Sequence, residues 1–243
     1  MPERGPADPP LVEARGLHTF YGPSHVLHGV DFSLRRGETI ALMGRNGMGK
    51  TTLLRSLLGL TPPRSGEVFI DGRNMTGAPP HAIARQGIAF VPEGRGIFVT
   101  LSVREHLVMA ARPGRDGRRD WTLERVLATF PRLAERLDRG GALLSGGEQQ
   151  MLTISRALMT NPDLLILDEA TEGLAPLIAK EIWAILRQVR AGGTAVLIVD
   201  KNVAALAAVA DRAVVLVKGR VAFAGGTAEL MAQPEMVHRH LGV

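Results

Sequence analysis

The rhythm of apolar and polar positions divides the chain into three parts. In the first, Val30, Phe32 and Leu34 alternate with polar residues, as in a half-buried strand. Arg36-Gly37-Glu38 predicts a turn and Thr39 to Met43 a short apolar strand. A helix is expected over about 50–59 and a strand over 67–70, closed by the Asp71-Gly72 turn. The middle part reads differently. Ser102 and Glu105 have capping-box spacing, which predicts a helix from there to about Ala111. A second helix, about Trp121 to Phe130, stops at Pro131, and a third runs from near Gly147 to a point before Pro162. Three helices without intervening strands predict a helical lobe inserted into an α/β core.

The last part alternates strand and helix. Leu164 to Leu167, Thr194 to Val199 and Ala213 to Val217 are apolar strands. Pro176 opens a helix that ends near Gly192-Gly193, and Val203 to Ala210 forms another. Lys218-Gly219 turns the chain into Arg220 to Phe223. Continuous apolar strands between helices imply a mainly parallel sheet covered on both faces.

Length and composition narrow the function. The 243 residues suffice for one large domain carrying an inserted lobe. Aromatic residues, at 4%, leave little stacking surface for single-stranded nucleic acid. The absence of cysteine excludes disulfides and thiolate metal sites. Residues 1–10 are polar and proline-rich, which predicts a flexible tail and no signal peptide. No apolar run is long enough to span a bilayer, so work at a membrane requires a docking partner. The net charge of +5 is spread along the chain, apart from Arg112, Arg115, Arg118 and Arg119. That cluster reads as a solvated loop, with contact to anionic lipid or a partner as the alternative.

The chemistry starts at Gly44-Arg45-Asn46-Gly47-Met48-Gly49-Lys50-Thr51, followed by Thr52. The string fits G-x-x-x-x-G-K-[ST], follows a predicted strand and opens a predicted helix, the context of a phosphate-binding loop. Glycines let backbone N–H groups curl around phosphate oxygens, and the helix N-terminus adds partial positive charge. Lys50 supplies a full charge to the β- and γ-phosphates, and the Thr51 hydroxyl suits Mg²⁺. A nucleotide's phosphates and Mg²⁺ are therefore the expected ligands; which nucleotide is left to the resemblance below, which implies ATP. Leu164-Leu165-Ile166-Leu167 then delivers Asp168 and Glu169 at a strand's C-terminal end, the edge of an α/β sheet where ligands bind. Asp168 is expected to hold Mg²⁺ and Glu169 to polarise the attacking water. In isolation two adjacent acids would read equally well as solvated loop residues; beside a phosphate loop the functional role prevails. Leu144-Ser145-Gly146-Gly147-Glu148-Gln149-Gln150 offers a second anion-binding helix start, or else an ordinary cap on Ser145.

This last string resembles the signature motif of ABC proteins, and the resemblance extends over about residues 11–243. It implies an α/β fold: a P-loop NTPase (RecA-like) core, an N-terminal antiparallel β portion and an inserted α-helical subdomain over about 96–160. It further implies two subunits packed head to tail, each ATP held between one P-loop and the other subunit's Ser145, Gly146 and Gly147. Tyr21, just ahead of a strand pair, matches the position where the family stacks an aromatic ring on adenine; by itself Tyr-Gly would be a turn. Val91-Pro92-Glu93-Gly94-Arg95, Ile97-Phe98, Leu101-Ser102-Val103 and Glu172-Gly173-Leu174-Ala175-Pro176 resemble the LivF type of branched-chain amino acid importers. Urea and short-amide importers use similar strings.

That resemblance implies an ATP-hydrolysing subunit, pairing with itself or with a LivG-type cassette, peripheral at the cytoplasmic face of the inner membrane. Permease subunits and, through them, a periplasmic or extracellular solute-binding protein are its implied partners, and nucleic acid is not. Three positions depart from the general ABC pattern. Glu93 stands for a Mg²⁺-touching glutamine, and its carboxylate remains a suitable hard ligand. Ala175 stands for an interface aspartate. Lys201 stands for a histidine that contacts the γ-phosphate, and is expected to serve catalysis with Lys50 and Glu169, or else to be a surface lysine. An inactive regulatory cassette is the rival that these departures raise; Lys50, Asp168 and Glu169 argue against it. A soluble DNA-repair or translation ATPase would carry tandem cassettes or long coiled coils, which the chain lacks.

Overall fold

The structure, a computed structural model, describes residues 9–242, so most of the tail expected at the N-terminus lies outside the described residues. Two sheets form. In the first, β1 (Val12–Tyr21) pairs antiparallel with β2 (Ser24–Leu34) on one side and β4 (Ser65–Ile70) on the other. The two-residue strand β5 (Arg73–Asn74) joins β4 through Asp71-Gly72, whose φ values of 52° and 73° suit a tight hairpin turn. Strand β1 escaped the pattern reading because register shifts at Ala14–Leu17 and beyond break its alternation, with Gly16 at φ 55°. Tyr21 does not precede the strand pair; it closes the first strand and pairs with Ser24.

The second sheet has the order β10-β9-β3-β8-β7-β6. Strands β3 (Thr39–Met43), β6 (Ile88–Val91), β7 (Leu164–Asp168), β8 (Ala195–Val199) and β9 (Arg212–Val217) are parallel, and β10 (Arg220–Gly226) adds antiparallel at the edge. Every residue of β3, β7 and β8 is buried. The strand period splits them between two cores. Leu164 and Ile166 face α1 (Lys50–Leu57) and the antiparallel sheet. Leu165 and Leu167 face α6 (Gly146–Leu158), α7 (Pro176–Ala191) and α8 (Val203–Val209).

Between β6 and β7 lie α3 (Val103–Ala110), α4 (Leu123–Thr129), α5 (Pro131–Ala134), a 3-10 turn (Gly141–Leu143) and α6. Ser102 and Glu105 make both capping-box hydrogen bonds. Thr122, not Trp121, caps α4, while the Trp121 ring is buried beneath the Arg125 guanidinium. Pro131 ends α4 and also opens α5, since a proline N–H is not needed in a first turn. Short or strongly polar elements were not foreseen: α2 (Pro80–Ala84), β6, α9 (Thr227–Met231) and α10 (Pro234–Leu241).

The arginine cluster is not a freely solvated loop. Arg115 pairs with Asp71 at 2.6 Å and Asp163 at 3.7 Å, and Arg118 reaches Asp163 at 2.6 Å and the Pro162 carbonyl at 3.0 Å. Arg112, Arg115 and Arg119 keep the exposure expected of the cluster, and only Arg118 is half-buried.

Candidate active site

The phosphate loop joins β3 to α1. Gly44, Gly47 and Gly49 all have positive φ. A Cβ on Gly44 would lie 2.4 Å from the Leu216 carbonyl oxygen, so β9 enforces glycine there. The loop is tied to the β9–β10 turn: Gly219 N–H donates to the Met48 carbonyl at 3.0 Å and Lys218 N–H to Met48 Sδ at 3.2 Å. Lys50 is buried and donates to the Gly44 and Arg45 carbonyls at 2.7 and 3.1 Å. Burial lowers its pKa, and the neighbouring Asp168 carboxylate opposes that shift. A cavity of about 240 Å³ over the loop is lined by Val26, Asn46, Gly47, Gly49, Lys50, Thr51, Thr52 and Glu169.

Asp168 ends β7 in a buried position. Burial raises its pKa, and the Thr51 hydroxyl, 3.5 Å from Oδ1, works against the rise. A buried carboxylate short of compensating charge beside a hydroxyl fits a hard divalent cation. Glu93 adds negative charge that Asp168 feels, but its carboxylate does not join the Thr51–Asp168 pair. It groups instead with Glu169 and Glu172, their carboxylate oxygens lying within 4.8 Å of one another.

Glu169 has φ 55°, a conformation costly for a side chain with a Cβ, and its N–H donates to the Val199 carbonyl at 2.8 Å. This turn puts Glu169 in the wall of three cavities. Besides the P-loop cavity it borders one of 310 Å³ that includes Arg45, Lys50, Asp200, Lys201 and Leu241. It also borders a cleft of 430 Å³ that includes Glu93, Arg95, Gln149, Gln150 and Glu172. Lys201 thus lies in the wall of the cavity that holds Lys50, and its ammonium forms an ion pair with Glu172.

Ser145 caps α6 through a capping box: its N–H and hydroxyl donate to Glu148 Oε2 at 2.8 and 2.9 Å. Glu148 is buried and also meets Arg136 at 2.8 Å. The following glycines are places of close approach. A Cβ on Gly146 would lie 2.9 Å from the Arg95 guanidinium, and one on Gly147 2.6 Å from Ile178. Ser145, Gly146 and Gly147 line none of the three cavities that Glu169 borders. Nor does Tyr21, which is exposed, with its hydroxyl 3.5 Å from that of Thr61. Val26, from the neighbouring strand, does line the P-loop cavity. The pattern reading missed Val26, Glu172, Asp200 and Leu241; only the Glu172-Gly173-Leu174 string hinted at one of them.

The ABC transporter family model matches residues 27–172, spanning the phosphate loop, the Ser145-Gly146-Gly147 string and the Asp168-Glu169 pair. The chain belongs to the ABC transporter family. Its fold is that of an ABC ATPase cassette, and the protein is an ATP-binding, ATP-hydrolysing subunit of a transporter. It is 41% identical to the high-affinity branched-chain amino acid transport ATP-binding protein BraG of Pseudomonas aeruginosa, over 93% of this chain and 97% of that one. It is 35% identical to a "Probable branched-chain amino acid transport ATP-binding protein LivF" of Archaeoglobus fulgidus, with coverages of 93% and 97%. The lipopolysaccharide export system ATP-binding protein LptB of Escherichia coli is 33% identical, with coverages of 95% and 97%. A solved ATP-binding subunit of an ABC transporter superposes with a TM-score of 0.81 at 31% identity, covering 93% of this chain and 94% of that one. ABC ATP-binding subunits act as dimers with membrane permease subunits, and no helix among the described residues is long and apolar enough to cross a membrane itself.

Proposed function

We propose that the chain is the ATPase of an importer for branched-chain amino acids, peripheral at the cytoplasmic face of the inner membrane. The observation that carries the catalytic part is the convergence of Lys50, Thr51, Asp168 and Glu169 on the mouth of one glycine loop. Similarity to BraG and LivF, together with the strings around Glu93 and Glu172, supports the cargo. The LptB likeness is a second reading, lipopolysaccharide export, at lower identity and similar coverage.

In this reading the P-loop N–H groups and Lys50 hold the β- and γ-phosphates, and Val26 and Tyr21 flank the nucleoside. Thr51 and Asp168 would hold Mg²⁺, with Glu93 nearby; the ion supplies neutralising charge to the phosphates. Glu169 orients the attacking water and accepts its proton, and Lys201 adds positive charge near the γ-phosphate. Ser145 and Gly147 serve the ATP of the other subunit, either a second copy or a LivG-type cassette.

The segment after Glu93 is suited to meet a permease. Phe98 and Val99 are exposed apolar residues. The Arg95 and Gly96 carbonyls are held by Thr153 and Arg156 of α6, so force on this segment reaches the helix that Ser145 caps.

Uptake of labelled leucine, isoleucine and valine by cells lacking this chain tests the reading. Uptake should fall and return with the parent chain but not with Glu169→Gln. Unchanged uptake, with permease subunits still co-purifying, would overturn the cargo and leave the transport ATPase.

A further inference from the structure

Lys201 and Glu172 sit on two different loops. One loop leaves β7 and the other leaves β8, and the parallel register of these strands sets Asp168 beside Val199. The loops are fastened together next to the pair. Asp200 accepts hydrogen bonds from the Thr171 N–H at 3.0 Å and the Thr171 hydroxyl at 2.6 Å. The other Asp200 oxygen accepts from Asn202 N–H at 3.0 Å, and the Asn202 side chain caps α8. The backbones flanking Glu172 and Lys201 are therefore held, while both side chains remain exposed to solvent.

The pair also stands at a boundary. Lys201 lines the cavity with Lys50, and Glu172 lines the cleft with Glu93 and Arg95. Glu169 borders both. The ammonium of Lys201 thus has two possible counter-charges: Glu172 on one side, and a phosphate held by Lys50 on the other.

We propose that Glu172 is a positioning residue that competes with the ATP γ-phosphate for Lys201. Without nucleotide, Glu172 holds the ammonium at the edge of the acidic group Glu93–Glu169–Glu172. When a γ-phosphate arrives, Lys201 exchanges one anion for the other, and Glu172 is released as an uncompensated charge beside Glu93. This rests on the ATPase reading above and deepens it, because it gives the departure at Lys201 a partner on the facing loop. It is specific for the triphosphate: ADP presents no γ-phosphate to compete with Glu172.

The exchange makes a quantitative signature. An exposed ion pair contributes little, so freeing Lys201 should change binding by about two- to fivefold. Removing any carboxylate near an anion site also favours anions in general, and the experiment must separate the two effects. Affinities of the purified full-length chain for fluorescent ATP and ADP analogues should be measured for the parent, Glu172→Gln, Lys201→Gln and the double variant. Glu172→Gln should tighten ATP about two- to fivefold and leave ADP unchanged. In the Lys201→Gln background the same substitution should have no effect on ATP. Lys201→Gln by itself should change ATP affinity little, because the lost phosphate contact is offset by the Glu172 contact no longer given up. Its kcat should fall, by about tenfold if one charge-assisted hydrogen bond is lost.

Equal tightening of ATP and ADP, no tightening, or tightening that survives in the Lys201→Gln background overturns the exchange. In each of those cases a parent chain that hydrolyses ATP leaves the transport ATPase intact. A parent that binds neither nucleotide overturns both.

Discussion

One carboxylate oxygen of Asp200 accepts hydrogen bonds from both the amide and the hydroxyl of Thr171, at 3.0 and 2.6 Å. This bond pair joins the loop after the catalytic strand β7 to the loop after β8, and so sets the distance between Glu169 and Lys201 across the cavity. Asp200→Ala would leave a mostly buried N–H and hydroxyl without their acceptor. The expected loss is about 1–3 kcal/mol in urea unfolding, with ATP turnover lowered as well. Asp200→Asn, which retains an acceptor oxygen, should recover part of both. An Asp200→Ala chain with parental stability and turnover would show that the loops are held by other contacts.

Glu169→Gln should keep ATP binding and lower turnover by at least about a hundredfold, since an amide does not accept a proton from water. It also removes a negative charge facing the γ-phosphate, so the ATP-bound dimer should persist during gel filtration. Phosphate release at the parental rate would remove Glu169 from the catalytic role.

The separation of Ser145 and Gly147 from the P-loop cavities predicts a site completed in trans. Lys50→Ala and Ser145→Arg should each be inactive. Mixed, they should recover part of the activity, because one of the two sites in the mixed dimer keeps both intact halves. The ATPase rate of the mixture, compared with each variant at the same total concentration, checks this.

The pKa of Asp168 is raised by burial, so ionising this group costs the nucleotide-free fold stability. With the folded pKa above the unfolded one, this group's contribution to stability is fully present below the unfolded pKa. It is lost as pH rises through the folded pKa. Raising the pH above the unfolded pKa therefore imposes a penalty on the parent that Asp168→Asn does not carry. The variant should melt at a higher temperature at pH 7 without nucleotide, and the gain should shrink as the pH is lowered into the acid range. Its hydrolysis should be lost. Thermal melts across pH, without nucleotide or divalent cation, measure this directly.

Much of this protein is legible in its sequence because the relevant physics is local. Three glycines before Lys50-Thr51 dictate a loop that bares N–H groups, and the run Leu164 to Leu167 dictates a buried strand ending in two acids. Ser102 with Glu105 sets a helix start within one turn of chain, and both of its hydrogen bonds form. Each of these features depends on residues within about eight positions of one another. Alternation failed where bulges interrupt it, as in β1, and where an element is as short as β6.

What only the tertiary structure decided are the pairings across loops. Lys201 meets Glu172, 29 positions away, because β7 and β8 run parallel in one register. Glu93 joins Glu169 and Glu172, apart from the Thr51–Asp168 pair, because β6 lies beside β7 at the edge of the sheet. Arg115 and Arg118 gain ion-pair partners because Asp71 and Asp163 are brought to them from distant turns. Side-chain charge has a range of several ångströms but no preference for sequence distance. Which charges become neighbours is therefore set by strand order and register, and these follow from how two apolar faces are buried at once.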